Sequence, residues 1–568
     1  MTFRGILIGT TIIAAVAGQA LAQTVPVDLI ISGGPILTME GPTPRYVEAV
    51  AVAGGKIAFA GSRDDAMRLR SSATAMKDLG GKVMLPGFID PHSHFTDSLS
   101  LADRINVSAP PVGPASDPDR IVVELKSGAA KKALKPGELL IGWGYDENLM
   151  PEGKVLSRDL LDVAFPDNPV VVVHVSMHGA VLNSKAFEKF GFKDGMPTPD
   201  GGIILRKEGS ENLQGLVMEA AYLPVLSQLP GPTLENEVEA AKSGQALYAA
   251  AGITTAQDGL THSEQVKQFQ RIASKGGWYI DLVAYPFITD LEETWKETPP
   301  SAFGKYNGRL KLGGCKITID GSPQGKTAWF TTPYLTGGPA GQKDWKGEPV
   351  MPPAELKAAM QTCYDAGLQV IMHANGDAAV DFLLEAHKEA AGSDVSKDRR
   401  TVCVHCQFVR RDQLPLLKQF NIIPSLFSDH TFFFGDTHIA NRGKEQASFI
   451  SPLKSAMAAG TMPTNHTDAF VVPVDQMIVI WTAVNRPTRS GAVLGPDERI
   501  SAYDALKTIT VNAAYQYREE ASKGSISAGK LADFVVLSDD PTKVAPMSIK
   551  EIKVIETIKE GKTIFSAN

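Results

Sequence analysis

The sequence predicts an α/β protein: a (β/α)8 barrel of the TIM type, with a small β-sandwich domain formed from both chain ends. Three observations predict it. Short apolar runs separated by glycine turns occupy both termini. Between them, about eight strand-like runs alternate with helical stretches, the pattern of a parallel barrel. Histidines close several of those runs, where a barrel collects its catalytic groups.

Composition agrees with a globular chain. Of 568 residues, 43% are apolar and 21% charged, a balance that excludes disorder or a fibre for most of the length. The 56 Lys+Arg against 63 Asp+Glu leave a charge of −7. With no long basic run, this excludes wholesale nucleic-acid binding. The four cysteines, Cys315, Cys363, Cys403 and Cys406, are too few for a disulfide framework. Cys403 and Cys406 have C-x-x-C spacing, but a single pair is a weak zinc signal. Cys315 and Cys403 read as small buried packing residues.

The first segment reads as a signal peptide, residues 1–22. Arg4 precedes an apolar stretch over 5–17, and Ala20-Leu21-Ala22 forms an A-x-A cleavage site before Gln23. About 13 apolar residues are too short to span a bilayer comfortably. The mature chain is expected in the periplasm or secreted, with no membrane attachment after cleavage. That compartment permits disulfides, so so few cysteines suggest a core that does not depend on them.

Residues 23–82 and 525–568 make the expected sandwich. Its strands fall at 27–31, 49–53 and 56–61, and again at 532–537, 552–558 and 563–565, with Gly33-Gly34 and Gly54-Gly55 as turns. The barrel takes 83–524. Its strands are expected at 83–90, 252–256, 279–284, 310–320, 368–372, 401–404, 422–425 and about 462–465, with helices at 353–366 and 378–391 among them. Residues of about 95–245 break the alternation. They read as an insertion after the first strand that caps the mouth of the site.

The chemistry starts at Pro91-His92-Ser93-His94. A strand has a period of two, so His92 and His94 share a side and can grip one metal ion. His373, His405 and Asp468 close or follow later strands. Imidazole and carboxylate suit zinc and similar ions, which bring the pKa of a bound water to about 7.

These segments resemble the amidohydrolase superfamily, and within it the amidohydrolase-3 branch that includes N-substituted formamide deformylases. The resemblance rests on Pro86-Gly87-Phe88-Ile89-Asp90-Pro91-His92-Ser93-His94, Lys316-Ile317-Thr318-Ile319-Asp320-Gly321-Ser322, His373-Ala374-Asn375-Gly376-Asp377, Val404-His405-Cys406-Gln407, Thr467-Asp468-Ala469 and the closing 523–537. It implies that His92 and His94 hold the more buried metal with Asp468, and that His373 and His405 hold a second. Lys316 stands where binuclear members carry a carboxylated lysine bridging two zinc ions; the other readings are a substrate-binding lysine, or a structural one beside a single metal. Asp468 is the implied general base and proton shuttle. Thr467 departs from the Ser or Asn that often precedes this Asp.

The implied function is hydrolysis of an amide or N-formyl-type C–N bond of a small molecule by a metal-bound hydroxide. Deamination or ester and lactone hydrolysis on the same scaffold, and a non-catalytic exported binding protein, are the alternatives. His178, His430 and His466 are candidates for binding substrate. Beside His430 and His438, Phe432-Phe433-Phe434 would form a pocket wall or core. Glu219 also fits the family pattern; a structural role is at least as good a reading. His262 and His387 read as surface groups. Self-association into a homo-oligomer stays open, and no spacing rule names the substrate.

Overall fold

Gly87 divides the first expected barrel strand in two. Val83–Pro86 pairs antiparallel with Phe534–Leu537, whereas Phe88–Ile89 pairs parallel with Ile253–Thr261. A Cβ on Gly87 would sit 2.5 Å from the Thr254 side chain, so the crossing needs glycine. The computed structural model describes residues 27–567 apart from 102–103, 111–112, 152–153, 176–178, 200–201, 220, 232 and 339–341. The expected signal peptide, residues 1–22, and His178 therefore lie outside the described residues, as does the Glu219 side chain.

The chain ends share one eight-stranded sheet. Its order is Lys562–Ser566, Val554–Lys559, Phe534–Leu537, Val83–Pro86, Leu29–Leu37, Tyr46–Ala53 and Lys56–Gly61, with Ala75–Asp78 also on Leu29–Leu37. Leu29–Leu37 changes partner along its length: its first residues pair with Ala75–Asp78, and Ile36 pairs with Met84. The expected two-sheet sandwich is thus, in its hydrogen bonding, a single branched sheet. Ile31, Val50, Ile57, Met84, Phe534 and Val536 form its core.

The middle of the chain is a TIM-barrel-like α/β fold. Its parallel strands are β1 (Phe88–Ile89), β2 (Ile253–Thr261), β3 (Asp281–Pro286), β4 (Gly314–Thr318), β5 (Gln369–Ala374), β6 (Val402–His405), β7 (Ile423–Leu426) and β8 (Thr464–Asn465). The ladders form two arcs, β1 to β3 and β4 to β8, rather than one closed sheet. The expected strand over 310–320 is broken at Gly313, where a Cβ would lie 2.5 Å from the Tyr285 ring. Leu310–Leu312 stays with β3, and β4 pairs with β5. A single bridge from Phe287 to Lys316 joins the arcs. Between β8 and β1 the contact is made by two backbone bonds just past the strands, Asp468 N to His92 O at 3.1 Å and His94 N to Ala469 O at 2.8 Å.

Helices Pro353–Asp365 and Asp377–Ala391 pack outside β4 and β5. Two cysteine and histidine readings change here. Cys315 on β4 is disulfide-bonded to Cys363 on the first of these helices, so it is a cross-link and not merely packing. His387 is buried rather than surface: Tyr364 Oη lies 2.7 Å from its Nδ1, and its ring stacks on Phe420. His262 is exposed.

The insertion is a second α/β layer. Its six strands run in the order Gly202–Arg206, Leu213–Glu219, Gly179–Leu182, Val170–His174, Leu140–Tyr145 and Ile105–Asn106. Val170 and Val172 pack into one apolar cluster and Val171 and Val173 into another. Covering both faces explains the unbroken valine run. Helix Glu237–Ala250 packs instead against the barrel, with Tyr248 on Phe95 at 5.2 Å. The insertion meets the loop after β8 through Trp143 on Phe470, with ring centroids 5.9 Å apart.

Candidate metal centre

His92 and His94 leave β1, Asp468 leaves β8 and His405 closes β6. Asp468 stands between the imidazoles. Its Oδ1 is 3.5 Å from His92 Nε2 and 3.3 Å from His94 Nε2; its Oδ2 is 3.8 Å from His405 Nδ1. His405 Nδ1 lies 3.1 Å from His466 Nε2, and His466 Nδ1 lies 3.0 Å from Ser425 Oγ. Two donor groups result, His92–His94–Asp468 and His405–His466–Asp468, each with ligand atoms within 4.8 Å of one another.

Hydrogen bonding shows what the first group lacks. Gln257 Nε2 donates to Pro91 O at 2.7 Å and to Tyr517 Oη at 2.8 Å, which fixes the amide orientation. Gln257 Oε1 therefore faces His92 Nδ1, 2.5 Å away, and must accept its proton. Burial, helped by the Lys316 charge, holds the His92 pKa well below its ordinary value, so the ring is neutral and Nε2 is a bare lone pair. That nitrogen lies 3.5 Å from Asp468 Oδ1, and both atoms are buried without a hydrogen-bond partner. Two facing acceptors repel and cost free energy unless a cation joins them. The residues present fit a metal ion.

The family model for the amidohydrolase family matches residues 76–565. The chain belongs to the amidohydrolase family. N-substituted formamide deformylase of Arthrobacter pascens is 26% identical to it over 548 residues, covering 94% of this chain and 97% of that one. YtcJ of Bacillus subtilis is 27% identical over 551 residues, covering 94% and 98%. Among solved structures, an uncharacterized metal-dependent hydrolase from Pyrococcus furiosus is similar with a TM-score of 0.71 at 25% identity, covering 91% of this chain and 100% of that one. This amidohydrolase is accordingly a metal-dependent hydrolase of carbon–nitrogen bonds.

The charges of its site suit that class. Burial pulls His405 well below the ordinary histidine value and His466 down to about 3, leaving both neutral as ligands must be. For His94 the adjacent Asp468 carboxylate, 3.3 Å from its Nε2, outweighs burial and the pKa rises. Burial pushes Asp468 up, but the imidazoles gathered around it outweigh burial and hold the carboxyl well below its ordinary value.

His373 and Lys316 stand beside the two donor groups. The His373 ring is 4.6 Å from that of His405. Its Nδ1 lies 3.2 Å from Asp320 Oδ1, and its Nε2 lies 3.2 Å from Asn375 Nδ2. Lys316 is buried on β4; burial draws its pKa down to about 8, against the charges of Asp468 and Asp258. His430 pairs with His438 at 3.0 Å and lies outside both donor groups. Phe433 and Phe434 line a small cavity of about 40 Å³ with Trp143 and Phe470, whereas Phe432 packs on Trp481.

Sequence reasoning missed the outer groups. Gln257 and Asp258 lie in the part of β2 beyond the expected 252–256. Asp258 accepts from Thr96 N at 2.8 Å and Thr261 Oγ1 at 2.6 Å. Asp320, within a quoted motif, accepts from the backbone N–H groups of Trp329, Asn375 and Gly376 and so fixes the His373 loop. Thr467 is accounted for: its hydroxyl donates to Asp90 at 2.5 Å, a bond that serine could also make.

Proposed function

We propose that this amidohydrolase, exported from the cytoplasm, hydrolyses the amide or N-formyl bond of a small molecule. The facing bare acceptors, His92 Nε2 and Asp468 Oδ1, carry the proposal. His92, His94 and Asp468 would hold one divalent ion. His405, with His373 or His466, would hold a second, and mixed nitrogen and oxygen donors suit zinc. When bound, such ions polarise a carbonyl and make water a nucleophile at neutral pH. Asp468 lies between both donor groups, placed to take a proton from water and hand it to the departing nitrogen. The C–O bond forms, the C–N bond breaks, and an acid and an amine leave.

Lys316 supports a bridged pair. With its pKa drawn to about 8, a useful fraction is neutral amine. Reaction with CO2 would make that amine an anionic carbamate, a further oxygen donor for a cation. The name of the Arthrobacter relative favours formamides among amides. The Cys315–Cys363 disulfide supports an oxidising compartment, in keeping with export.

The test is metal content and turnover together. Wild type is expected to carry two divalent ions per chain and to release amine from an amide and formamide panel in preference to matched esters. Lys316→Ala is expected to lose one ion and most activity. A fully loaded, fully active Lys316→Ala protein removes the bridge. A wild type that takes up divalent ions but releases no amine overturns the function.

A further inference from the structure

The loop after β7 carries a histidine pair that the hydrolysis described above does not use. β7 lies between β6, which ends in His405, and β8, which leads to His466 and Asp468. His430 follows the end of β7, so it stands at the same mouth of the barrel as the ligand candidates. The Phe427 ring spans the two, 4.9 Å from the His466 ring and 4.5 Å from that of His430. His430 also lies within electrostatic reach of Asp468 and His466.

The pair is an in-line hydrogen bond. His430 Nδ1 is 3.0 Å from His438 Nε2, the ring centres are 5.2 Å apart, and the planes differ by 9°. The rings are therefore end to end and almost coplanar, with one proton between the facing nitrogens. Burial holds His430 well below the ordinary histidine value and His438 down to about 3, so both rings are neutral and each carries one N–H. Two arrangements satisfy this. If His430 Nδ1 donates, His438 must bury an unpaired Nδ1–H, because that nitrogen is sealed from solvent and has no partner. If His438 Nε2 donates, the sealed Nδ1 is only a bare lone pair. On the backbone, orphaned buried N–H groups are rarer than under-satisfied acceptors, and the same preference here selects the second arrangement. His430 then accepts at Nδ1 and carries its proton on Nε2. No described residue accepts from Nε2, and unlike His438 Nδ1 it is not sealed from solvent.

We infer that His430 donates its Nε2–H to the carbonyl oxygen of the scissile amide and stabilises the oxyanion that forms there, with His438 as the positioning residue that fixes the tautomer. A neutral imidazole can serve in this way while keeping its proton. The inference rests on the hydrolase proposal above and adds a residue to that site. His430 gains and loses no proton, so the bond changes given above stand, and Asp468 remains the group that moves protons. The contact strengthens as charge gathers on the oxygen, so it acts on kcat more than on KM.

Wild type is compared with His430→Leu, His430→Gln, His438→Met and His438→Gln at equal metal content, on the formamides of the panel. Loss of one such donor costs about 100- to 1,000-fold in kcat. His430→Leu is expected in that range with KM within about threefold of wild type. His430→Gln, whose amide N–H can stand in for Nε2–H, should recover at least about tenfold of the loss. His438→Met should lose about tenfold in kcat, and His438→Gln, which still has a donor for His430 Nδ1, should restore it. A kcat within about threefold of wild type in His430→Leu, or no recovery in His430→Gln, overturns the inference. Methylphosphonate, a tetrahedral anion, gives a readout without turnover: its binding, followed calorimetrically, should weaken at least about tenfold in His430→Leu and recover in His430→Gln. If wild type releases amine from no compound, the hydrolase reading fails and this binding alone decides. Equal binding to wild type and His430→Leu, or none to wild type, overturns the inference. Should His430→Leu not fold, His438→Met takes its place, and kcat and methylphosphonate binding like those of wild type are the refutation.

Discussion

Gly259→Ala is the sharpest steric test of the metal centre. Gly259 lies on β2 behind His92 and donates its N–H to Ser93 O at 2.8 Å. Its φ is not in the left-handed region, so alanine brings no backbone strain and only a methyl group. That methyl would be 2.2 Å from His92 Cε1 and 2.5 Å from Nδ1, where real Cβ atoms keep at least 3.0 Å. The ring must therefore move by at least 3.0 − 2.2 = 0.8 Å. It cannot do so freely, because it is fully buried and tied to Gln257 at 2.5 Å. A misplacement of about 1 Å costs about 100-fold in rate, and overpacking costs about 1–3 kcal/mol of stability. Gly259→Ala should thus lose about 100-fold in kcat/KM and part of its metal while still folding. Gly231→Ala, with open space around the added methyl, is the control. Metal analysis, steady-state kinetics and thermal melting measure all three effects. A Gly259→Ala protein with full metal and a rate within about threefold of wild type would refute the reasoning.

Three other outcomes follow from the same contacts. Asp468→Asn keeps the shape but not the charge or basicity, and should cut kcat by at least about 100-fold; a near-normal kcat measured at full metal loading would remove Asp468 from proton transfer. Asp281, at 2.7 Å from both Lys523 and Lys559, is pushed up by burial but held far below its ordinary pKa by those two charges. The native state then binds fewer protons than the unfolded one, so this stabilisation is complete above about pH 4 and falls as acid is added below it. Denaturant midpoints across pH 7 to 3 should show that acid limb flattened in Asp281→Asn, with about 3–5 kcal/mol lost at pH 7; parallel wild-type and variant curves would contradict this. The Cys315–Cys363 bond closes 48 residues, worth roughly 4 kcal/mol by loop entropy, so reduction should lower the melting temperature measurably, and an unchanged melt would argue against the cross-link.

The histidine positions were legible because strand periodicity and strand ends leave marks in sequence. His466 carried such a mark too, two residues before Asp468. His387 had a signal that was passed over: Val380, Leu383, Leu384, His387 and Ala391 share the buried face of one helix. Other features had none. The breaks at Gly87 and Gly313 are set by Thr254 and Tyr285, residues distant in sequence that approach only in the fold. Gln257 and Asp258 lie where β2 turns polar, so an apolar-run criterion stops short of them. Cys315 and Cys363 obey no spacing rule, because a strand and its following helix set their approach.

The seam between β8 and β1 joins the fold to its chemistry. Both strands contribute only two residues to their ladders, and the chain is held there by Asp468 N on His92 O and His94 N on Ala469 O. Those bonds belong to the ligand residues or their neighbours. The geometry that brings the first and last strands together is therefore the geometry that faces His92 Nε2 with Asp468 Oδ1. His405 and Asp468 also have φ values of 68° and 49°, a conformation that non-glycine side chains adopt at a cost. A cation between the donors would offset both the repulsion and the backbone cost, because a ligand that binds only the native state stabilises it. Metal binding and closure of the seam are on this argument one equilibrium, so any change that loosens the β8–β1 contact should weaken metal affinity even when every ligand is kept.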